Sequence, residues 1–184
     1  MKNNFFTLFI VIVLLASCSQ APDKNLITKQ SIGLLTDSTQ VRDLSLVFPN
    51  DSIVMLNESN VFTSANNDIE VYEKSGAKLL ILTPKQALDS TSTIKSIIIN
   101  SDRYKTAKGL NTKSTFKTIK DNYKISSIQN TIRNIVVSVN EINAFFTIDK
   151  NELPAELRFD TNQKIEAIQI PNEAKIKRFY MQWN

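Results

Sequence analysis

The chain has 184 residues, a formal charge of +4, 42% apolar residues, one cysteine, three glycines and no histidine. Without histidine there is no Ser-His-Asp or Cys-His constellation and the commonest metal ligand is missing, and three isolated glycines cannot build a phosphate-cradling loop. The basic residues are dispersed rather than gathered in a block interleaved with aromatics, which argues against nucleic acid as a partner.

The N-terminus carries Lys2 and then the apolar run Phe5–Leu15, broken only by Thr7. That run is well short of the ~20 residues that a helix needs to cross a hydrocarbon core of ~30 Å. It has the form of a signal-peptide h-region, so residues 1–17 read as a signal peptide. Leu15-Ala16-Ser17-Cys18 then resembles a bacterial lipobox: an aliphatic residue, two small residues and the cysteine that accepts lipid. The alternative is an ordinary secretory signal that happens to contain a cysteine. The resemblance implies cleavage between Ser17 and Cys18, a diacylglyceryl thioether on Cys18 and a fatty acyl group such as palmitate on the new amine. With two or more chains, each buried methylene contributing ~0.8 kcal/mol, such a membrane anchor is stable. It also leaves no thiol for a disulfide or a nucleophile. Ser19, where an Asp would favour inner-membrane retention in some diderm bacteria, points to an outer-membrane lipoprotein, and the expected location is the cell envelope. Ser19–Gln30 is polar, and residues 18–30 read as a lipidated tether.

The remaining residues, 31–184, read as one α+β domain. Gly33-Leu34 and Gly109-Leu110, 76 positions apart, open related stretches in which Thr36/Thr112, Ser38/Ser114 and Thr39/Thr115 coincide. After a one-residue slip, Val41, Leu44 and Phe48 match Phe116, Ile119 and Tyr123, each trio spaced for one helix face. Helices are expected over 39–48 and 115–123, with Ser38 and Ser114 as N-caps and Pro49 ending the first. Strands are expected over 52–56, 68–73, 78–82 and 93–100 after the first helix. The second and third of these flank a hairpin turn at Lys74-Ser75-Gly76-Ala77. After the second helix strands are expected over 132–139, 144–149, 155–160, 164–170 and 175–183. Alternation of this kind marks half-buried antiparallel strands. The fold class expected is therefore α+β: an antiparallel sheet with short helices packed on one face, in two related helix-plus-meander halves, 31–105 and 106–184. A unit of this size buries its sheet poorly alone, so stacking two is physically sensible. The competing explanation is chance coincidence in a chain rich in Ser and Thr.

This arrangement resembles the tandem fold of the β-lactamase-inhibitor-protein class, in which a helix-containing segment packs on an antiparallel sheet and the unit is repeated. Small lipoproteins of the outer-membrane barrel-assembly machinery resemble one such unit, and the stretch from Ile97 to Leu110 has the corresponding strand-then-Gly-hydrophobic form. The chain lacks the cysteines of the inhibitor proteins' disulfides, and no inhibitory contact residue carries over, so the resemblance implies a fold rather than an activity.

No catalytic residue, cofactor or metal site is expected. Lys113-Ser114 and Lys95-Ser96 are adjacent pairs without an oxyanion hole. Asp149-Lys150-Asn151-Glu152 is the densest oxygen-rich stretch, but lacks the glycine and spaced ligands of a calcium loop and reads as a turn before Pro154. At the C-terminus, Phe179, Met181 and Trp183 share one strand face, expected in the core. Tyr180, Gln182 and Arg178 form the candidate interaction surface, because exposed aromatics anchor interfaces. In Phe145-Phe146 one ring must point in and the other out. The expected function is a non-enzymatic protein-binding or assembly module in the envelope, held to the membrane through Cys18 and meeting an envelope protein. The alternative is a carrier holding a small apolar or glycan ligand between helices and sheet.

Overall fold

The structure is a computed structural model that describes residues 23–55 and 67–183. The signal peptide, Ser17 and Cys18 of the lipobox, the start of the tether and Leu56 lie outside the described residues. In chain order the strands are β1 (Leu26–Ile27), β2 (Ser31–Ile32), β3 (Leu35–Thr36), β4 (Ser52–Met55), β5 (Ile69–Tyr72), β6 (Lys78–Pro84), β7 (Ile94–Ile99), β8 (Lys105–Thr106), β9 (Ser127–Asn130), β10 (Asn134–Val139), β11 (Ala144–Asp149) and β12 (Ile176–Gln182). A 3-10 turn, Val41–Asp43, runs into helix α1 (Leu44–Val47), and α2 spans Phe116–Asn122. The fold is thus mainly antiparallel sheet with a few short helices, placed close to their expected positions.

The large sheet has eight strands in the order β4-β5-β6-β7-β12-β11-β10-β9. Every neighbouring pair is antiparallel. Side chains alternate between the faces of a strand, and one face carries an unbroken apolar row, one residue per strand: Ile53, Val71, Leu80, Ile99, Phe179, Phe146, Val137 and Ile128. Val71, Leu80, Phe179, Phe146 and Val137 in this row are fully buried. Leu44, Phe116 and Ile119 of the helices belong to the same core cluster.

The two loop-and-helix segments make corresponding hydrogen bonds. Thr36 N–H donates to Thr39 Oγ1 at 3.0 Å, and Asn111 N–H to Ser114 Oγ at 3.1 Å. Val41 and Arg42 N–H donate to the carbonyls of Ser92 and Ser90, while Phe116 and Lys117 N–H donate to those of Ala174 and Asn172. Isolated bridges join Gln40 to Thr93 and Thr115 to Lys175. These contacts pair Thr36 with Asn111 and Thr39 with Ser114, one step away from the alignment drawn on the glycines. Buried Leu35, rather than the more exposed Leu34, corresponds to buried Leu110. They also correct the N-caps. The caps are Gln40 and Thr115, and neither side chain makes a capping bond. Carbonyls from the segments leading into β7 and β12 take the orphan first-turn amides instead.

Three further expectations fail. Residues 155–160 and 164–170 are not strands but contain 3-10 turns at Ala155–Leu157 and Ala167–Gln169. Both sides of β11 are already occupied by β10 and β12, so the intervening segment has no edge to join. Leu157, Ile165 and Ile170 are buried as it folds over the core, and Glu166 N–H donates to Gln169 Oε1 at 2.8 Å. Edge strand β9 was not expected at all, since Ser-Ile-Gln-Asn has little apolar content. The tether is shorter than expected: β1 pairs with β2 and β8, Ile27 is buried, and Lys29 carbonyl accepts the Trp183 indole N–H at 3.1 Å.

Gly33 (φ +58) and Gly109 (φ +79) both occupy the left-handed region, which costs an L-residue about 1–2 kcal/mol. A Cβ on Gly33 would also sit 2.2 Å from the Lys24 carbonyl oxygen, whereas one on Gly109 meets open space. Gly109→Ala is expected to lower the unfolding free energy by about 1–2 kcal/mol and Gly33→Ala by clearly more. Urea denaturation of the two variants checks the order, and a smaller loss for Gly33→Ala would contradict the close approach.

Candidate functional site

The other face of the large sheet carries its own row: Val54, Glu70, Ile81, Ile98, Tyr180, Phe145, Ser138 and Ser127. Its centre, on the four middle strands, is apolar: Ile81 on β6, Ile98 on β7, Tyr180 on β12 and Phe145 on β11, all half-buried. The Phe145 and Tyr180 rings stack across the strand pair, centroids 4.6 Å apart and planes within 7°. Such cross-strand aromatic pairs stabilise a sheet by ~0.2–1 kcal/mol. Phe146, the other member of the pair noted in the sequence, points to the core and packs on Phe179.

β12 contributes the residues singled out from sequence. Phe179 and Met181 are inward and Trp183 is buried, while Tyr180 and Gln182 point to the open face. Ile176 is also buried, three positions before Phe179. A register shift opposite Thr147 and Ile148 makes this possible, because an inserted residue resets the alternation. Arg178 lies opposite Thr147, is exposed, and donates from Nη1 to Tyr180 Oη at 3.2 Å. Gln182 lies opposite Ser96. Arg178 and Gln182 therefore flank Tyr180 along the strand. Lys177 is committed elsewhere: its ammonium donates to Asp149 Oδ2 at 2.7 Å and to Asn134 Oδ1 at 3.2 Å. That hydrogen bond, with a backbone bond from Asn151, holds the Asp149 carboxyl below its ordinary range. The Asp149–Glu152 stretch forms a 3-10 turn in which Asp149 caps Asn151. Among the described residues no three His, Cys, Asp or Glu side chains converge as a metal site would require.

At the β5–β6 end of the face, sequence reasoning missed a compact charged cluster. Glu70 accepts from Lys78 Nζ at 2.5 Å and from the Tyr72 hydroxyl, and Lys78 lies 5.3 Å from the Tyr72 ring centroid. The alternation of Glu70-Val71-Tyr72 placed both polar residues on one face. Their convergence with Lys78 depends on the register shift between Val71 and Tyr72, which no pattern in the sequence reveals.

The fold defined by these elements is mainly β: an eight-stranded antiparallel sheet with a few short helices. No protein-family model matches the chain, and no curated protein matches it. Among solved structures it is similar to the uncharacterized protein yfeY from Escherichia coli, with a TM-score of 0.53 and 13% identity over 86% of this chain and 99% of that one. At that identity the likeness concerns the fold alone.

Hydrogen bonds from Lys78 and then Tyr72 hold the Glu70 carboxyl below its ordinary value. A carboxylate with a depressed folded-state pKa stabilises the fold above its unfolded pKa and loses that contribution as pH falls through the folded value. Part of the acid sensitivity should therefore begin below about pH 4.3, the ordinary glutamate midpoint, and disappear in Glu70→Gln. Thermal melts of both proteins between neutral and acidic pH check this, and parallel curves would contradict it.

Proposed function

We propose that this chain is a lipid-anchored protein of the bacterial cell envelope, tethered to the outer membrane through Cys18, that docks a protein partner on its open sheet face and catalyses no reaction. The lipobox resemblance supports the anchor. The observation that carries the docking reading is the apolar row Ile81–Ile98–Tyr180–Phe145, which crosses the four central strands on the face away from the helices. Tyr180, Gln182 and Arg178 lie on that face together. Aromatic and arginine side chains of this kind dominate interface energetics.

We also infer that the two halves are a tandem repeat, each with helices over the buried face. The corresponding hydrogen bonds of the loop-and-helix segments support it. So does the last strand of each half, Ile94-Lys95-Ser96-Ile97-Ile98-Ile99 and Ile176-Lys177-Arg178-Phe179-Tyr180-Met181, where a register shift falls at the corresponding lysine.

Two observations weigh for docking over carriage of a small ligand. The layer between helices and sheet is filled by Phe116, Ile119, Phe146 and Phe179, all with no exposed surface. The flat mutual stacking of Phe145 and Tyr180 occupies ring faces that a sugar would need.

Photo-crosslinking residues placed at Ile98 and Tyr180 in intact cells are expected to capture the same envelope protein. Leu46, exposed on α1, is expected not to capture it. In Cys18→Ala, fatty-acid labelling and recovery in the membrane fraction should both be lost. Equal capture from Leu46, or lipid labelling that survives the cysteine change, would overturn the reading.

A further inference from the structure

The ladder joining the two halves runs Gln182 with Ser96, Met181 with Ile97, Tyr180 with Ile98 and Phe179 with Ile99. At one end it is continued, since Trp183 N–H donates to the Lys95 carbonyl at 2.8 Å. At the other end the next pair in register, Arg178 with Asn100, does not form. Asn100 N–H stays in the ladder between β6 and β7, donating to the Leu79 carbonyl at 2.9 Å, while beyond the inserted residue of β12 the Ile176 N–H turns away to the Ser114 carbonyl at 3.3 Å. The strands part, and a cleft of about 390 Å3 opens between them, lined by Ile81, Ile98, Asn100, Thr112, Lys177 and Arg178.

The chemistry of this notch is selective. Ile81 and Ile98 make an apolar wall continuous with the row described above. Asn100 is exposed, Thr112 half-buried, and both bring hydrogen-bonding side chains. Lys177 is neutralised by Asp149. Arg178 is different: among the described residues it pairs with no carboxylate, and its one side-chain contact of this kind, with the Tyr180 hydroxyl, holds it at the edge of the apolar row. A guanidinium of this kind is suited to a carboxylate, which it can grip through two parallel hydrogen bonds.

We propose that the notch between β7 and β12 is the specificity subsite of the docking face, and that it receives an acidic side chain of a protein partner, Asp or Glu, whose neighbouring apolar residue lies on Ile81 and Ile98. The proposal rests on the docking reading above and names the chemistry of the partner. A peptide segment fits better than a free anion. The site sets one unneutralised cation beside an apolar wall, and a peptide that carries an acid next to an apolar residue meets both at once.

The test is selection of a random-peptide phage library on the purified full chain and on Arg178→Glu. The wild type is expected to enrich peptides with Asp or Glu next to an aliphatic or aromatic residue. Arg178→Glu is expected to enrich Lys or Arg at the corresponding place. For a peptide selected on the wild type, replacing its acid by the amide, or Arg178 by Gln, should each weaken binding about tenfold, in keeping with loss of a charge-assisted pair. Arg178 is exposed, so an unchanged thermal melt confirms that the variants are folded. No enrichment, enrichment without acidic residues, or the same acidic peptides on Arg178→Glu would each overturn the proposal. If crosslinking from Ile98 and Tyr180 still captured one envelope protein in those cases, the docking face would stand and only its carboxylate subsite would fall.

Discussion

Four antiparallel residue pairs between β7 and β12 make one sheet of what would otherwise be two four-stranded meanders. Each meander alone would present a long apolar edge strand, Ile94–Ile99 or Ile176–Gln182, to solvent, and such edges invite association with other chains. Joined to each other, these two strands become the centre of the sheet. Ile97, Ile99, Phe179 and Met181 are all at most 2% exposed. The edges that remain are β4 and β9, each of four residues among the described ones, and short edges offer little to a further strand. Burial of side chains as large as these contributes about 1.5–3 kcal/mol each, so the central ladder is where the sheet has most to lose.

How much of this was legible in the sequence depends on where the determining information lies. Strands β10 to β12 and the hairpin around Gly76 were readable because their patterns are local: alternation of apolar residues and a glycine that takes φ +89. The helices were readable from the i, i+3, i+7 trios. The segment from Ala155 to Ile170 misled because Ile165, Ile168 and Ile170 are as apolar as strand residues. Whether they form a strand is decided by which strand sides are free: β11 is taken by β10 and β12, and the outer side of β10 by β9. β9 failed in the opposite sense, as a polar segment recruited by the exposed side of β10. The caps failed for a related reason. Ser38 and Ser114 have the right chemistry, but the amides they would satisfy already face carbonyls some fifty residues away along the chain, as with Val41 and Ser92.

The candidate face was half visible in the same way. Alternation along β12 placed Tyr180 and Gln182 outward, and it placed one of Phe145 and Phe146 on each side. The same count places Arg178 outward, and it fails only beyond the inserted residue at Lys177, where Ile176 turns inward. It could not bring Ile81 and Ile98 beside Tyr180, since those neighbours come from register between strands distant in sequence. Sequence supplies the residues of such a face, and strand pairing supplies its composition.

The interruption of the central ladder beside Arg178 has a cause in the path of the chain. Past β12 the chain continues straight, and Trp183 closes that end of the seam by donating its indole N–H to Lys29 and its amide to Lys95. Past β7 the chain is pulled aside. Arg103 donates to Glu73 at 3.1 Å and to the Tyr104 hydroxyl at 2.9 Å, and its Nη2 lies 3.5 Å from Asp51. Tyr104 itself is buried. A segment clasped by the β5–β6 turn and by the loop after α1 cannot also extend β7 alongside Lys177 and Arg178. The seam is therefore closed at one end by an aromatic anchor and held open at the other by an arginine clasp. The opening lies beside Arg178, which pairs with no carboxylate among the described residues. Because the clasp sits outside the face, the notch is set by the path of the chain itself, and under the docking proposal a partner would meet it preformed rather than having to open it.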